Sequence, residues 1–347
     1  MAVLQTYLGA AIDDGRLDWA DPEYGTTIRH LEQRKREAPE RPTVVMLGTS
    51  RAKNAFAADR LSEPVEGDQN TPLVLNASVF SAHPFHFQLV LRRLIALGLK
   101  PHAVFVELFP LHMSDTSAIY SSDPDRAAIP LNPAKEMHRV RAADLDLVWK
   151  YDPDRAALWA WRWCDSRLAP WSIHRNVLVQ RYAESWAQAD VAGSPKYWRS
   201  AISPFGWVQP RLQFVPEGAG GPAEAATERA YRPHTAFTGI NRTYDRMLRD
   251  LLDFCDRENV EILGLVLMPE SSTFRGWYPD ETRRLIRTYA REVAGEHGTR
   301  LIDAKEWLPD REFIDHHHVI DPGAERFSDG LRSEFIRPWM RRRSLTD

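Results

Sequence analysis

Cysteine is nearly absent: Cys164 and Cys255 are the only two in 347 residues. Neither sits in a CxxC or metal-type spacing, so no thiol motif is available, and the pair does not decide the redox compartment. Long apolar runs are missing too. Val3, Leu4, Leu8, Ala10 and Ala11 are followed by Asp13, Asp14 and Arg16 before a stretch of export or membrane length develops. The chain as given therefore reads as soluble, its compartment is left open, and an anchor upstream of it would make it extracytoplasmic or membrane-associated. An excess of one sign of charge is lacking as well. The net charge is −3 and no Lys/Arg block is interleaved with aromatics, which argues against nucleic acid as a partner. The run Arg341, Arg342, Arg343 reads as a solvated helix end. A Gly-x-Gly-x-x-Gly turn is also lacking after the first apolar run, so no dinucleotide cofactor, and no cofactor of any kind, is expected.

What remains is ordinary globular composition, 43% hydrophobic and 27% charged, which supports a folded core rather than disorder. The length implies either one α/β domain with a large insertion or two domains sharing an interface. No internal repeat is visible.

Residues 28–38 carry helical spacing, and Pro39 and Pro42 then break the helix before Thr43-Val44-Val45-Met46-Leu47, a buried strand. Ser50 follows at a strand-to-helix turn, with a helix expected over 52–61. A second strand, Leu73-Val74-Leu75, stops at Asn76. Pro84 opens an apolar helix reaching about Leu99, and residues 102–109 form a third strand. After about residue 239 the same alternation returns: helix 241–258, strand 261–267, helix 279–296, strand 299–302 and a last helix over 323–343. The pattern predicts an α/β fold, a three-layer, flavodoxin-like, doubly wound parallel sheet of five strands with ligands at the carboxyl ends. The expected organisation is a helical lead-in over 1–41, the α/β domain over 42–110 and 239–347, and a helical insertion or lid over 111–238. That insertion holds eight of the twelve tryptophans: Trp149, Trp159, Trp161, Trp163, Trp171, Trp186, Trp198 and Trp207. They are read as packing ahead of sugar binding. The Gly/Pro-rich stretch 204–222 is read as an exposed loop or lid.

Gly-Thr-Ser alone carries little information. Its weight comes from Asp315-His316-His317-His318, placed after the last strand and before the last helix. In a parallel sheet both segments open at one edge, so Ser50, His318 and Asp315 can meet as nucleophile, base and orienting carboxylate. Three successive histidines invite a metal, but neighbouring side chains in an extended loop diverge, so no metal site is expected. His317 is read as packing or hydrogen-bonding beside the triad.

This combination resembles the SGNH (GDSL-like) hydrolase family. Val44-Val45-Met46-Leu47-Gly48-Thr49-Ser50-Arg51 is similar to its first block, especially to the Gly-Ser-Ser-Arg branch of envelope polysaccharide acyl-modifying proteins. Asp315-His316-His317-His318, followed by Gly323-Ala324-Glu325-Arg326-Phe327-Ser328, is similar to its last block. Asn76-Ala77-Ser78 and Val104-Phe105-Val106-Glu107-Leu108 stand where that branch has its second and third. The resemblance spans 42–110 and 240–343. It implies catalytic Ser50, Asp315 and His318, and a substrate that is an acylated carbohydrate or small ester. The family's second block supplies a Gly N–H to the oxyanion hole, yet 76–84 contains no Gly and Ser78 or Ser81 takes its place. Its third block often supplies an Asn, missing here, for which Asn76 is the candidate substitute.

Further pocket candidates are Arg51, which follows the nucleophile, and Glu107, read as pairing with Arg51 or as a structural ion pair. Glu270 and Arg275 leave a strand at the same edge. The resemblance implies an esterase if water accepts the acyl group and an O-acyltransferase, acting on acetyl or other acyl groups, if a sugar hydroxyl does. The alternative is a non-catalytic SGNH-fold module that binds carbohydrate or assembles with a membrane acyltransferase.

Overall fold

Five short runs rich in Val, Leu and Ile become strands, because helices cover both of their faces and no position has to be polar. They are β1 (Thr43–Leu47), β2 (Leu73–Asn76), β3 (Ala103–Leu108), β4 (Glu261–Leu267) and β5 (Leu301–Asp303). The computed structural model describes residues 2–13, 17–64, 71–116, 139–182, 195–210 and 221–344. All four strand pairings are parallel, in the order β2-β1-β3-β4-β5. The chain runs outward in opposite directions from β1 and β3, so their carboxyl ends flank the crevice where a doubly wound sheet binds ligands.

Alternate residues of each strand serve different cores. Val45, Leu47, Leu75, Val104, Val106 and Leu265 face one layer, while Val44, Met46, Val74, Phe105, Val266 and Ile302 face the other. The first layer holds α2 (Pro22–Glu37), α5 (Pro84–Ala96) and the helices Arg242–Arg257 and Asp280–Glu296. The second holds α3 (Ser50–Ala55), α4 (Ala58–Ser62) and the C-terminal helix. Each fully buried Val, Leu or Phe contributes about 1.5–3 kcal/mol, so the two cores are the main stabilising term.

Boundaries differ from expectation where a cap or a break intervenes. The helix expected over 28–38 starts at Pro22, because Asp21 accepts the Tyr24 N–H at 3.0 Å. The helix expected over 52–61 divides at Phe56 and Ala57, where the Ser328 hydroxyl accepts the Ala57 N–H at 2.9 Å and donates to the Ala55 carbonyl at 3.2 Å. The last helix starts at Asp321 and passes through a π turn, Arg332–Ile336, before ending at Arg343.

Within 111–238 the described segments form the helices Leu145–Tyr151, Ala156–Leu168, Pro170–Tyr182, Pro195–Ala201 and Gly221–Tyr231. The first helix, α1 (Ala2–Asp13), packs on the second of these. Trp159, Trp198 and Trp207 are buried, and Trp159 donates to Asp152 at 2.7 Å, as packing residues should. Trp149 and Trp161 are exposed, and Trp186 lies outside the described residues. The start of the expected lid is no open loop. The Phe205 carbonyl accepts the Asn76 N–H at 2.8 Å, and the Lys53 carbonyl accepts the Val208 N–H at 3.2 Å, so this piece borders β2 and α3. Gly206, at φ +86°, lies where a Cβ would stand 2.1 Å from the Asn76 carbonyl oxygen. Residues 211–220 of that stretch lie outside the described residues.

Candidate active site

β1 ends at Leu47, and the next two residues, Gly48 and Thr49, turn the chain into α3. No side chain fits at Gly48: a Cβ would meet Ala52 Cβ at 2.5 Å and Glu107 Oε2 at 2.6 Å. Glu107, at the end of β3, accepts the Thr49 N–H at 2.6 Å and the Thr49 hydroxyl at 3.1 Å, fixing the turn from the neighbouring strand. Thr49 then caps α3 through the Arg51 N–H at 3.2 Å. Ser50 is thereby the first residue of a helix, where its own N–H has no intrahelical acceptor.

The opposing loop is closed by an isolated antiparallel bridge between Phe313 and Val319 and by the Ile314 N–H donating to the His318 carbonyl at 2.9 Å. Reversing the chain within so short a loop puts His316 at φ +76°, a left-handed conformation that non-glycine residues seldom adopt. The reversal aims His318 across the crevice. Asp315 Oδ2 lies 2.7 Å from His318 Nδ1, and Ser50 Oγ lies 2.8 Å from His318 Nε2. An ionised Asp315 can only accept, so Nδ1 carries the imidazole proton and Nε2 is left to accept from the Ser50 hydroxyl. Asp315 Oδ1 also accepts the His318 N–H at 2.8 Å and the His317 N–H at 3.3 Å. Burial works against the carboxylate charge. The hydrogen bond from His318 and the charges of His318 and His317 outweigh it and hold Asp315 below the usual carboxylate range.

His317 is buried, 4.9 Å from the Tyr231 ring centroid and 5.5 Å from that of Phe274, so it both packs and hydrogen-bonds beside the triad. Burial pushes its imidazole well below its ordinary value. Donor atoms of Asp315, His317 and His318 lie within 4.8 Å of one another and could hold a metal ion. Both nitrogens of His318 are already matched, one to Asp315 and one to Ser50, so a metal there would have to displace the serine or the carboxylate contact. The donor set therefore suits a proton relay better than a metal.

The remaining candidates turn away from the crevice. Arg51 is buried and pairs with Glu270 at 3.3 Å, not with Glu107, and it also donates to the Met268 and Pro269 carbonyls. The reason is reach: its guanidinium lies under the β4 exit loop, against the Phe109 ring at 4.8 Å, while Glu107 is spent on Thr49. Burial, countered by the Arg51 charge and the Thr49 hydrogen bonds, raises the Glu107 carboxyl above its ordinary value. Glu270 is fully buried between Arg51 and Lys305, whose Nζ is 3.6 Å away, and Arg275 ties the Glu270 and Lys305 carbonyls together. Arg51, Glu270 and Arg275 brace the loop beneath the site.

Asn76 and Ser78 likewise serve the protein itself. The Asn76 amide donates to the carbonyls of Ala52 at 2.9 Å, Lys53 at 3.3 Å and Phe56 at 3.0 Å, closing the end of α3. Its oxygen accepts the Ser78 N–H at 3.1 Å. Neither the Asn76 amide nor the Ser78 N–H is left to meet an oxyanion. Among the described residues the buried Ser78 hydroxyl has no hydrogen-bond partner.

Sequence reasoning missed three features of this edge. His83 and His112 meet with their Nδ1 atoms 3.1 Å apart, and burial, aided by His86 and Arg51, holds His112 down to about 3. The Tyr231 and Phe109 rings, 6.2 Å apart, stand between His317 and His112. Lys53 lies fully buried one turn after Ser50. Only Lys53 left a trace in the sequence, as a charge between Ala52 and Ala55 on a helix that must cover a sheet. No protein-family model matches this chain, and no curated protein matches it.

Proposed function

We propose that the chain is a serine hydrolase or O-acyltransferase of the SGNH type, acting on acyl esters, acetyl among them, of carbohydrate or envelope polymer. The observation that carries this reading is the continuous relay from Ser50 Oγ through His318 to Asp315, at 2.8 and 2.7 Å. Ser50 Oγ attacks the ester carbonyl carbon as its proton passes to His318 Nε2, and Asp315 stabilises the imidazolium. The Ser50 N–H is available to the oxyanion. Collapse expels the alkoxide, which takes the proton from His318 and leaves an acyl-Ser50 ester. Water then repeats the sequence to release the acid, or a sugar hydroxyl does so and becomes acylated. Purified protein treated with a fluorophosphonate probe is expected to label at one serine, with labelling lost in Ser50→Ala and His318→Ala. Labelling retained in Ser50→Ala would sink the assignment.

A second reading, a non-catalytic module that keeps the fold and binds carbohydrate or a membrane acyltransferase, is favoured by one observation. The Asn76 amide and the Ser78 N–H are both engaged internally, so a hole built on Ser50 N–H lacks these two donors. Absence of labelling in folded wild-type protein would select it.

A further inference from the structure

A buried charge network lies directly behind the nucleophile turn and is not accounted for by the relay. Glu23, in the first turn of α2, is 7% exposed, and Lys53, three residues after Ser50, is 0% exposed. Glu23 Oε1 accepts the Phe80 N–H at 2.9 Å, and Lys53 Nζ donates to Thr27 Oγ1 at 2.8 Å. Phe80 belongs to the loop 77–82, which is fastened to the nucleophile strand by the Ala77 N–H on the Met46 carbonyl at 2.9 Å and the Val79 N–H on the Gly48 carbonyl at 3.0 Å. Ser81, at φ +56°, reverses the loop immediately afterwards. No helix or sheet ladder supports Phe80, so the carboxylate is what satisfies its amide.

We propose that Glu23 is a positioning residue for the Ser50 site: its ionised carboxylate holds the loop 77–82 against the nucleophile turn, with Lys53 as its buried counter-charge. This rests on the reading of Ser50 as nucleophile. The groups facing Glu23 are Lys53 from α3, Asp21 from the α2 cap and Arg139, which pairs with Asp21 at 2.5 Å. Of the other elements packed on α2, the turn Leu17–Trp19 contributes Asp18, paired with Arg29 at 2.7 Å. The helix Pro195–Ala201 contributes Lys196 and Arg199, both exposed. With Glu23, Asp21, Lys53 and Arg139 all ionised the network is neutral, and removing the Glu23 charge leaves one buried cation uncompensated. Burial, opposed by Lys53, pushes the Glu23 carboxyl up to about 7. The ionised form therefore gives way to the neutral one as pH falls below that value, and the Phe80 bond loses its charge assistance.

The test combines amide hydrogen exchange of the segment around Phe80 with the rate of fluorophosphonate labelling, in wild type, Glu23→Gln and the charge-balanced double variant Glu23→Gln/Lys53→Met, which guards against a folding failure of the single one. At pH 8 the segment is expected to exchange about tenfold faster in both variants after correction for intrinsic rates, and labelling to slow about tenfold. Wild type is expected to lose protection of this segment between pH 8 and pH 6, and the variants to show no such step. Unchanged exchange, or unchanged labelling, in a folded variant overturns the proposal. A wild-type chain that does not label overturns the Ser50 reading and the positioning role with it, while the exchange result still reports on the loop.

Discussion

The polar residues at the carboxyl edge of the sheet divide into two halves that are spent differently. In the loop after β5, Asp315 Oδ2 and the His318 ring direct theirs outward, ending at the Ser50 hydroxyl after β1. At the ends of β2 and β3, the two strands that flank β1, Asn76, Ser78 and Glu107 direct theirs inward, to the α3 carbonyls, the Asn76 oxygen and the Thr49 turn. Equivalent positions at one edge thus hold a relay in one half and scaffolding in the other. Residue type does not separate them, since each half includes a carboxylate, Asp315 in one and Glu107 in the other. What separates them is how much of each group the backbone claims: Asp315 gives Oδ1 to the His317 and His318 N–H groups and keeps Oδ2 for His318 Nδ1. A buried carbonyl or N–H claims any side chain that can satisfy it, because leaving it unpaired costs about 1–3 kcal/mol. His318 keeps its ring for the relay because the loop backbone is satisfied within the loop, by the Phe313–Val319 bridge and by Asp315 Oδ1.

The largest expected effect breaks the outward half. In Asp315→Asn the amide can donate to Nδ1, which favours the tautomer with its proton on Nε2, so Nε2 no longer accepts from Ser50. Fluorophosphonate labelling is expected to fall by about 10⁴-fold with the fold retained. A loss below tenfold would mean that Asp315 does not set the tautomer. The depressed Asp315 carboxyl also gives a sign for stability. Its contribution is present above the ordinary aspartate range and is lost as pH falls through the lower folded value, so the Asn variant should show a weaker loss of stability in acid than wild type.

The inward half should respond in stability before activity. Asn76→Ala removes three donated hydrogen bonds and one accepted one at a fully buried position, which is expected to cost about 2–4 kcal/mol in chemical denaturation. An oxyanion donor would behave oppositely, losing labelling at nearly constant stability. A folded, stable Asn76→Ala protein that no longer labels would therefore overturn the division between the two halves.

The same contrast explains what was legible in the sequence. The five strands follow from apolar runs that need no partner beyond a covering helix. The meeting of Ser50 with Asp315 and His318 follows from parallel topology together with a local Asp-x-x-His spacing. Glu107, Arg51 and Asn76 carried no such local cue. Arg51 chooses Glu270 over Glu107 because of where α3 and the loop after β4, 219 residues apart, come to rest, which no spacing encodes. Glu23 lies on a helix whose start was expected six residues too late, because Pro22 and its Asp21 cap were not read as a helix opening. Its contact with the loop 77–82 is likewise tertiary.

The smallest effect gives the sharpest separation. Ser78 stands where the resemblance places an oxyanion donor, yet its N–H is held by Asn76 and its buried hydroxyl has no partner among the described residues. A buried unpaired hydroxyl is a cost to the fold. Ser78→Ala removes it while keeping the backbone N–H and the Asn76 contact. The variant is expected to be more stable by about 0.5–1 kcal/mol, the low end of what an unsatisfied buried hydroxyl costs, with labelling unchanged within twofold. If instead stability holds and labelling falls by about tenfold or more, the hydroxyl reaches the oxyanion, and the β2–β3 half is part of the reacting site rather than its scaffold.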